Sequence, residues 1–282
     1  MSHHAEGRER YVLGHTHREH ERLDLQGVLY RDVTRRAFLD AGLEPGMRVL
    51  DLGSGSGDVA LLAAEVVGST GAVVGVERDR GTAEGARARA AARGAGNVAF
   101  HLGEVTDPVP GAPFDALVGR FILMHLPDPA AALAAALRNV RPASPVIFVE
   151  SHMALLEEGI HSHPFSPLYE KVVRWKSDAV RGAGADVAMG MKLRTVFVEA
   201  GLPEPRTRLD ALVAGGADTP LYRYLAESVR SMLPLATELG LEGFDEDTVD
   251  GLEDALRAEV VASGGVLVNW PVVAAWSRVT GS

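Results

Sequence analysis

Apolar positions follow two rhythms along this chain. Over residues 8–40 they fall at Tyr11, Leu13, Leu23, Leu25, Val28, Leu29, Val33, Ala37 and Phe38 among many charges, the spacing of one buried helical stripe. Gly42 and Pro45-Gly46 punctuate its end. Short apolar runs then recur at Met47–Leu52, Ala72–Val76, Val98–Leu102, Asp115–Val118 and Val146–Val149, and these predict strands. Helix-like stretches at Val59–Val67, Thr82–Arg93 and Ala130–Val140 separate them. Strand and helix alternate in units of roughly 25–30 residues, which means βαβ units and a parallel sheet. Ligands of such sheets sit beyond the carboxyl ends of the strands, so the loops after each strand carry the interest. After Glu150 the alternation weakens. Residues 165–182, 219–239 and 248–262 read as amphipathic helices, and Arg206–Val213 and Pro271–Val279 as strands. The expected division is an N-terminal helical segment (1–44), a ligand-binding core (45–150) and a remainder of the same domain (151–282) whose helical insertions cap the site.

The first strand opens into Asp51-Leu52-Gly53-Ser54-Gly55-Ser56-Gly57-Asp58. A sharp strand-to-helix turn that must also approach a ligand needs glycine, which lacks Cβ and reaches positive φ freely. The following helix offers unpaired N–H groups. A dinucleotide fingerprint would read Gly-x-Gly-x-x-Gly. Here the third glycine comes one residue early, Asp58 holds its place, and Asp51 lies two residues before the first glycine. A carboxylate there suits a cationic ligand and disfavours a pyrophosphate. The second strand ends at Glu77, where a carboxylate can accept from both hydroxyls of a ribose.

The Gly-x-Gly-x-Gly loop with its preceding acid resembles motif I of the class I S-adenosylmethionine-dependent methyltransferases, and Glu77 resembles their motif II. The resemblance, to the group related to ubiquinone and menaquinone biosynthesis, covers roughly residues 45–150. It implies a Rossmann-like, doubly wound, mostly parallel seven-stranded α/β sheet with N-terminal helices and helical lid insertions. It implies S-adenosylmethionine as cofactor, with Asp51, Gly53, Ser54, Gly55 and Gly57 in the loop that binds it, Glu77 on the ribose and Arg78 flanking the adenine. Gly103-Glu104-Val105 stands where the family often has Gly-Asp, and Glu104, one methylene longer, takes the adenine amino group. Gly119-Arg120-Phe121 and Leu126-Pro127-Asp128-Pro129 resemble the segment after the fourth strand. Arg120 either meets the cofactor carboxylate or pairs with Asp51 or Asp58. The flanking Tyr11-Val12-Leu13-Gly14, Glu21-Arg22-Leu23 and Gln26 are similar to a bacterial methyltransferase group. By that likeness Tyr11 and Gln26 close over the cofactor; the alternative is a helix packed on the sheet. Family members often read Arg-Pro-Gly-Gly before the fifth strand; Arg141-Pro142-Ala143-Ser144 departs from this and implies a changed backbone there, away from the ligand.

Methyl transfer is an in-line displacement, so alignment is the main work. A general base is needed only where the acceptor holds its proton. His125, His152 and Glu150, after the fourth and fifth strands, are the candidates; structural roles compete for each. Phe165, Tyr169, Trp175 and Tyr222, with Tyr224, Met232 and Trp270, either shape an apolar acceptor pocket or form core. His161 and His163 lack an obvious carboxylate partner, and no metal is expected.

Composition narrows the class further. The net charge of -10 lacks the positive field of nucleic-acid binders. There is no cysteine, hence no disulfide or thiolate site. The start is polar and no apolar run of about 18 residues occurs, so the expectation is a cytoplasmic protein without a membrane partner. A small-molecule methyl acceptor is expected, and the apolar helices leave a homodimer open. Two other readings stand beside methyl transfer: a cofactor-binding protein of this fold that catalyses another reaction such as a cyclisation, and a nicotinamide-dependent oxidoreductase.

Overall fold

The computed structural model describes residues 17–157, 159 and 161–280. Helix α1 spans His17–Asp40 and leads into β1 (Arg48–Leu52), α2 (Asp58–Val67), β2 (Ala72–Glu77), α3 (Arg80–Ala92), β3 (Val98–Leu102) and β4 (Ala116–Arg120). A 3-10 turn, Leu123–His125, precedes α4 (Pro129–Ala136), β5 (Pro145–Ser151), α5 (Ala154–Glu157), β6 (Ser162–His163) and α6 (Pro167–Gly182). The chain closes with α7 (Met189–Glu199), β7 (Arg206–Asp210), β8 (Val213–Gly215), α8 (Leu221–Leu239), α9 (Glu246–Asp250), α10 (Leu252–Ser263), β9 (Val266–Val268) and β10 (Val272–Arg278).

Seven strands form the main sheet in the order β3-β2-β1-β4-β5-β10-β7. The first five run parallel to their neighbours, and β10 runs antiparallel to both β5 and β7. From β1 the chain winds outward through β2 and β3, then returns to place β4 on the other side of β1. That reversal leaves a crevice at the carboxyl ends of β1 and β4. The glycine loop and the segment after Arg120 both open onto it. Two apolar layers cover the sheet: Phe38, Leu61, Ala63 and Val73 on one face, and Phe114, Leu133, Phe148 and Phe197 on the other.

Local signals explain the element ends near the crevice. Asp128 caps α4 by accepting from Ala131 N at 2.9 Å, with Pro129 in the first turn, so the Leu126-Pro127-Asp128-Pro129 run is a helix start. Ser166 caps α6 in the same way, accepting from Tyr169 N at 3.0 Å, again with a proline next.

Three features differ from the sequence expectation. The strand expected over Arg206–Val213 is two: β7 stops at Asp210, and β8 leaves for a small sheet ordered β6-β9-β8. Helix α7 was not expected, although Met189, Leu193, Val196 and Phe197 make its buried stripe. Ala143 takes φ 64°, a left-handed conformation that favours glycine, while its N–H donates to Val279 O at 2.9 Å.

Candidate functional site

Two cavities meet at the crevice. The larger, of about 400 Å³, lies beyond the ends of β1, β2 and β3 and is walled by Glu77, Arg78, Gly103, Glu104 and Val105. The smaller, of about 150 Å³, lies under α1, α6 and α8. Gly53, Gly55, Phe121 and His125 line both, so they form the passage between them.

The glycines of the loop do different work. Gly55 stands at φ 50°, and a Cβ there would meet nothing nearer than Gly53 O at 4.0 Å; its bare face looks into open cavity. A Cβ on Gly53 would strike Ile122 Cδ1 at 2.4 Å, and one on Gly57 would strike Phe100 Cζ at 2.6 Å. Gly57 walls neither cavity; it starts α2 in a left-handed conformation, φ 85°, packed beneath the loop. The loop is pinned by Glu77, whose Oε2 accepts from Gly55 N at 3.0 Å while Oε1 accepts from Asp79 N at 2.9 Å. Both oxygens keep spare lone pairs at the mouth of the larger cavity. Ser54 donates its N–H to Val76 O at 2.9 Å and lines the smaller cavity, where its own hydroxyl and that of Ser56 are buried without partners.

Arg120 makes one of the pairings that the sequence left open. Its guanidinium forms an ion pair with Asp58 and donates to Thr34 Oγ1 at 3.0 Å. It still walls the smaller cavity together with Asp58 and Gln26. Gln26 accepts from Arg22 Nη1 at 2.9 Å. Tyr11 lies outside the described residues. Asp51, expected at the cofactor, walls neither cavity: it is buried below the loop, and burial first, then the Asp58 charge, pushes its carboxyl up. Phe121 holds φ 54°, fixed by its N–H to Val149 O at 3.1 Å and by the edge of Tyr30 at 5.2 Å between centroids. Such a conformation in a bulky residue is costly and concentrates at functional sites.

Of the base candidates, only His125 reaches the cavities. The residue is exposed where the two cavities adjoin; desolvation by the neighbouring walls, then the charges of Arg78 and Arg22, lowers its pKa. Glu150 is a brace instead: its Oε1 accepts from Ile122 N at 2.9 Å and from Leu123 N at 2.8 Å, which holds the segment carrying His125. Burial raises its pKa to about 7. His152 turns toward α7, its Cβ 3.1 Å from where a Cβ on Gly190 would stand.

The four aromatic acceptor-pocket candidates wall neither cavity. Phe165 is 61% exposed. Tyr169 and Tyr222 are core, their hydroxyls donating to Val268 O and Gly216 O, each at 2.9 Å. Trp175 packs edge-on to Phe244 at 5.4 Å. The same helices present other residues instead: Lys176 and Val180 from α6, and Tyr224, Ser228 and Met232 from α8. One helical position is about 100° of rotation, which separates Trp175 from Lys176. Lys176 was missed; a lone lysine in an otherwise apolar stripe was its signal. Among the described residues no group of three His, Asp or Glu is placed to hold a metal ion, and no helix is long and apolar enough to cross a membrane.

The donor set fits S-adenosylmethionine: a bare glycine face at the passage, a strand-end carboxylate for the ribose and a mixed-charge pair beside orphaned hydroxyls for the methionyl end. When bound, that cofactor supplies an electrophilic methyl carbon on a sulfonium. The family model described as "Methyltransferase domain" matches residues 43–200. The 2-phytyl-1,4-naphtoquinone methyltransferase of Synechococcus elongatus is 30% identical over 213 residues, 73% of this chain and 85% of the relative. The nocamycin O-methyltransferase of Saccharothrix syringae is 37% identical over 121 residues, 42% of this chain and 43% of the relative. In fold the chain is similar to Haemonchus contortus phosphoethanolamine N-methyltransferase 2 solved with S-adenosylhomocysteine, TM-score 0.53 at 15% identity, covering 89% of this chain and 53% of that one. This chain therefore belongs to the methyltransferase-domain family and is an S-adenosylmethionine-dependent methyltransferase.

Proposed function

We propose that this enzyme methylates a small, flat, largely apolar metabolite held in the smaller cavity. The passage lined by Gly53, Gly55, Phe121 and His125 carries the reading, because it joins a cofactor-sized cavity to a second one under α1, α6 and α8. Met124, Met153, Met232 and Trp270 give the second cavity an adaptable apolar lining. The relatives that act on a naphthoquinone and on nocamycin support an acceptor of this kind.

In this reading Glu77 receives the ribose hydroxyls, and Glu104 and Arg78 bound the adenine. The Asp58–Arg120 pair offers opposite charges to the methionyl ammonium and carboxylate. Residues 45–150 hold the cofactor, while α1, α6 and α8 cap the acceptor and exclude water. Alignment of the acceptor atom with the methyl carbon supplies most of the rate. The net charge of -10 favours neither nucleic acid nor an anionic membrane surface as partner.

The test is incubation with S-adenosylmethionine and a panel of aromatic hydroxyl compounds and quinols. The expected result is S-adenosylhomocysteine together with an acceptor heavier by one CH2. Cofactor that binds but is never turned over with any of them would favour a non-transferring role such as a cyclase.

A further inference from the structure

Lys176 is fully buried, and its Nζ has no hydrogen-bond partner. The amine instead lies 3.7 Å from the ring centre of Trp270 and 4.9 Å from that of Tyr224, all three in the wall of the smaller cavity. Burying an ammonium this way strands three donors, and even the neutral amine leaves its polar atom unsatisfied, which is costly. Ser151 Oγ, in the same wall, is also without a partner. The titratable groups that share this wall with Lys176 are Arg22 and Tyr30 from α1, Asp58 from α2, Tyr224 from α8, Arg120 at the end of β4 and His125 beyond it. The one carboxylate among those lining residues, Asp58, is already paired with Arg120. Lys176 thus shares the wall with two guanidinium groups, those of Arg22 and Arg120, and a bound sulfonium adds further positive charge.

We propose that Lys176 binds and deprotonates an acidic hydroxyl on a conjugated ring of the acceptor. This inference rests on the acceptor occupying the smaller cavity. The acceptor O–H bond breaks, its proton moves to the Nζ lone pair, and the electron pair stays on oxygen. The ammonium formed is neutralised by the oxyanion, which also becomes the partner the amine lacks. After methyl transfer the proton passes from Nζ to solvent, so charge and atoms balance. Burial, and then the charge of Arg22, lower the pKa of Lys176 and favour the free amine before the acceptor binds.

The experiment uses 4-nitrophenol, whose phenolate absorbs visibly, and its methyl ether 4-nitroanisole, each titrated into the enzyme saturated with S-adenosylhomocysteine. Wild-type enzyme is expected to raise the phenolate fraction above that in buffer and to prefer the phenol over the ether by about tenfold, the scale of one charge-assisted hydrogen bond. Lys176→Met should lose both effects, keep its S-adenosylhomocysteine affinity and melt no lower than wild type, because an unpaired buried amine is gone. Should that variant fail to melt cooperatively, Lys176→Gln carries the same comparison. Equal phenolate fractions in wild type and variant, or no binding of the phenol by wild type, overturn the proposal. Failure of wild type to bind S-adenosylhomocysteine would instead strike the cofactor reading.

Discussion

Glu150→Gln should make the protein more stable at pH 8 and leave it unchanged near pH 4. Glu150 is fully buried, one of its oxygens accepts from two backbone N–H groups, and the other has no partner. Burial raises its pKa from 4.5 to about 7 despite the opposing hydrogen bonds from Leu123 and Ile122. Between those two pH values the unfolded chain loses a proton that the folded chain keeps. Stability contributed by this group is thus complete below about 4.5 and falls as pH rises through about 7. At about 1.4 kcal/mol per pH unit the full loss is about 3.5 kcal/mol. Glutamine keeps a carbonyl to accept from both N–H groups and does not titrate. Urea denaturation of both proteins from pH 4 to 8 measures the difference, in which titrations common to both cancel. A variant less stable than wild type at pH 8, or a difference independent of pH, would refute the account of this carboxyl.

Gly55→Val should abolish saturable S-adenosylmethionine binding by calorimetry, because its side chain would project into the open passage; near-normal affinity would remove the loop from the site. Gly57→Ala should act on the fold, since its Cβ would sit 2.6 Å from Phe100, and lower stability by about 1–3 kcal/mol in urea. Ala143→Gly should raise stability by about 1 kcal/mol, as it relieves a left-handed alanine at φ 64° far from the cofactor; a loss would mean that the alanine side chain packs usefully.

The parallel half of the sheet was legible because each buried strand there is a short apolar run ended by glycine or a charge. The turn of the glycine loop was legible for a related reason: Gly53 and Gly57 meet local steric demands that read directly as sequence. The smaller cavity was not. Its walls come from α1, α6, α8 and the loop before β10, and which face of each helix turns inward is settled by packing far along the chain. Tyr169, Trp175 and Tyr222 show this, for they sit on apolar stripes that pack into the cap's own core while their neighbours face the cavity. Glu150 stood at the expected strand end but is spent on Ile122 and Leu123, a backbone contact that no side-chain pattern reveals. The small sheet of β6, β9 and β8 was missed because its strands are two or three residues long, too short to show a period.

The central claim is that Glu77 and the loop it pins hold S-adenosylmethionine. Calorimetric titration of wild type and Glu77→Ala with S-adenosylmethionine, with NAD as the parallel ligand, tests it most directly. The account predicts saturable binding of S-adenosylmethionine alone, weakened by about 1–3 kcal/mol in the variant, the scale of hydrogen bonds to a charged group. Binding of NAD, or an affinity for S-adenosylmethionine untouched by the loss of Glu77, would contradict it.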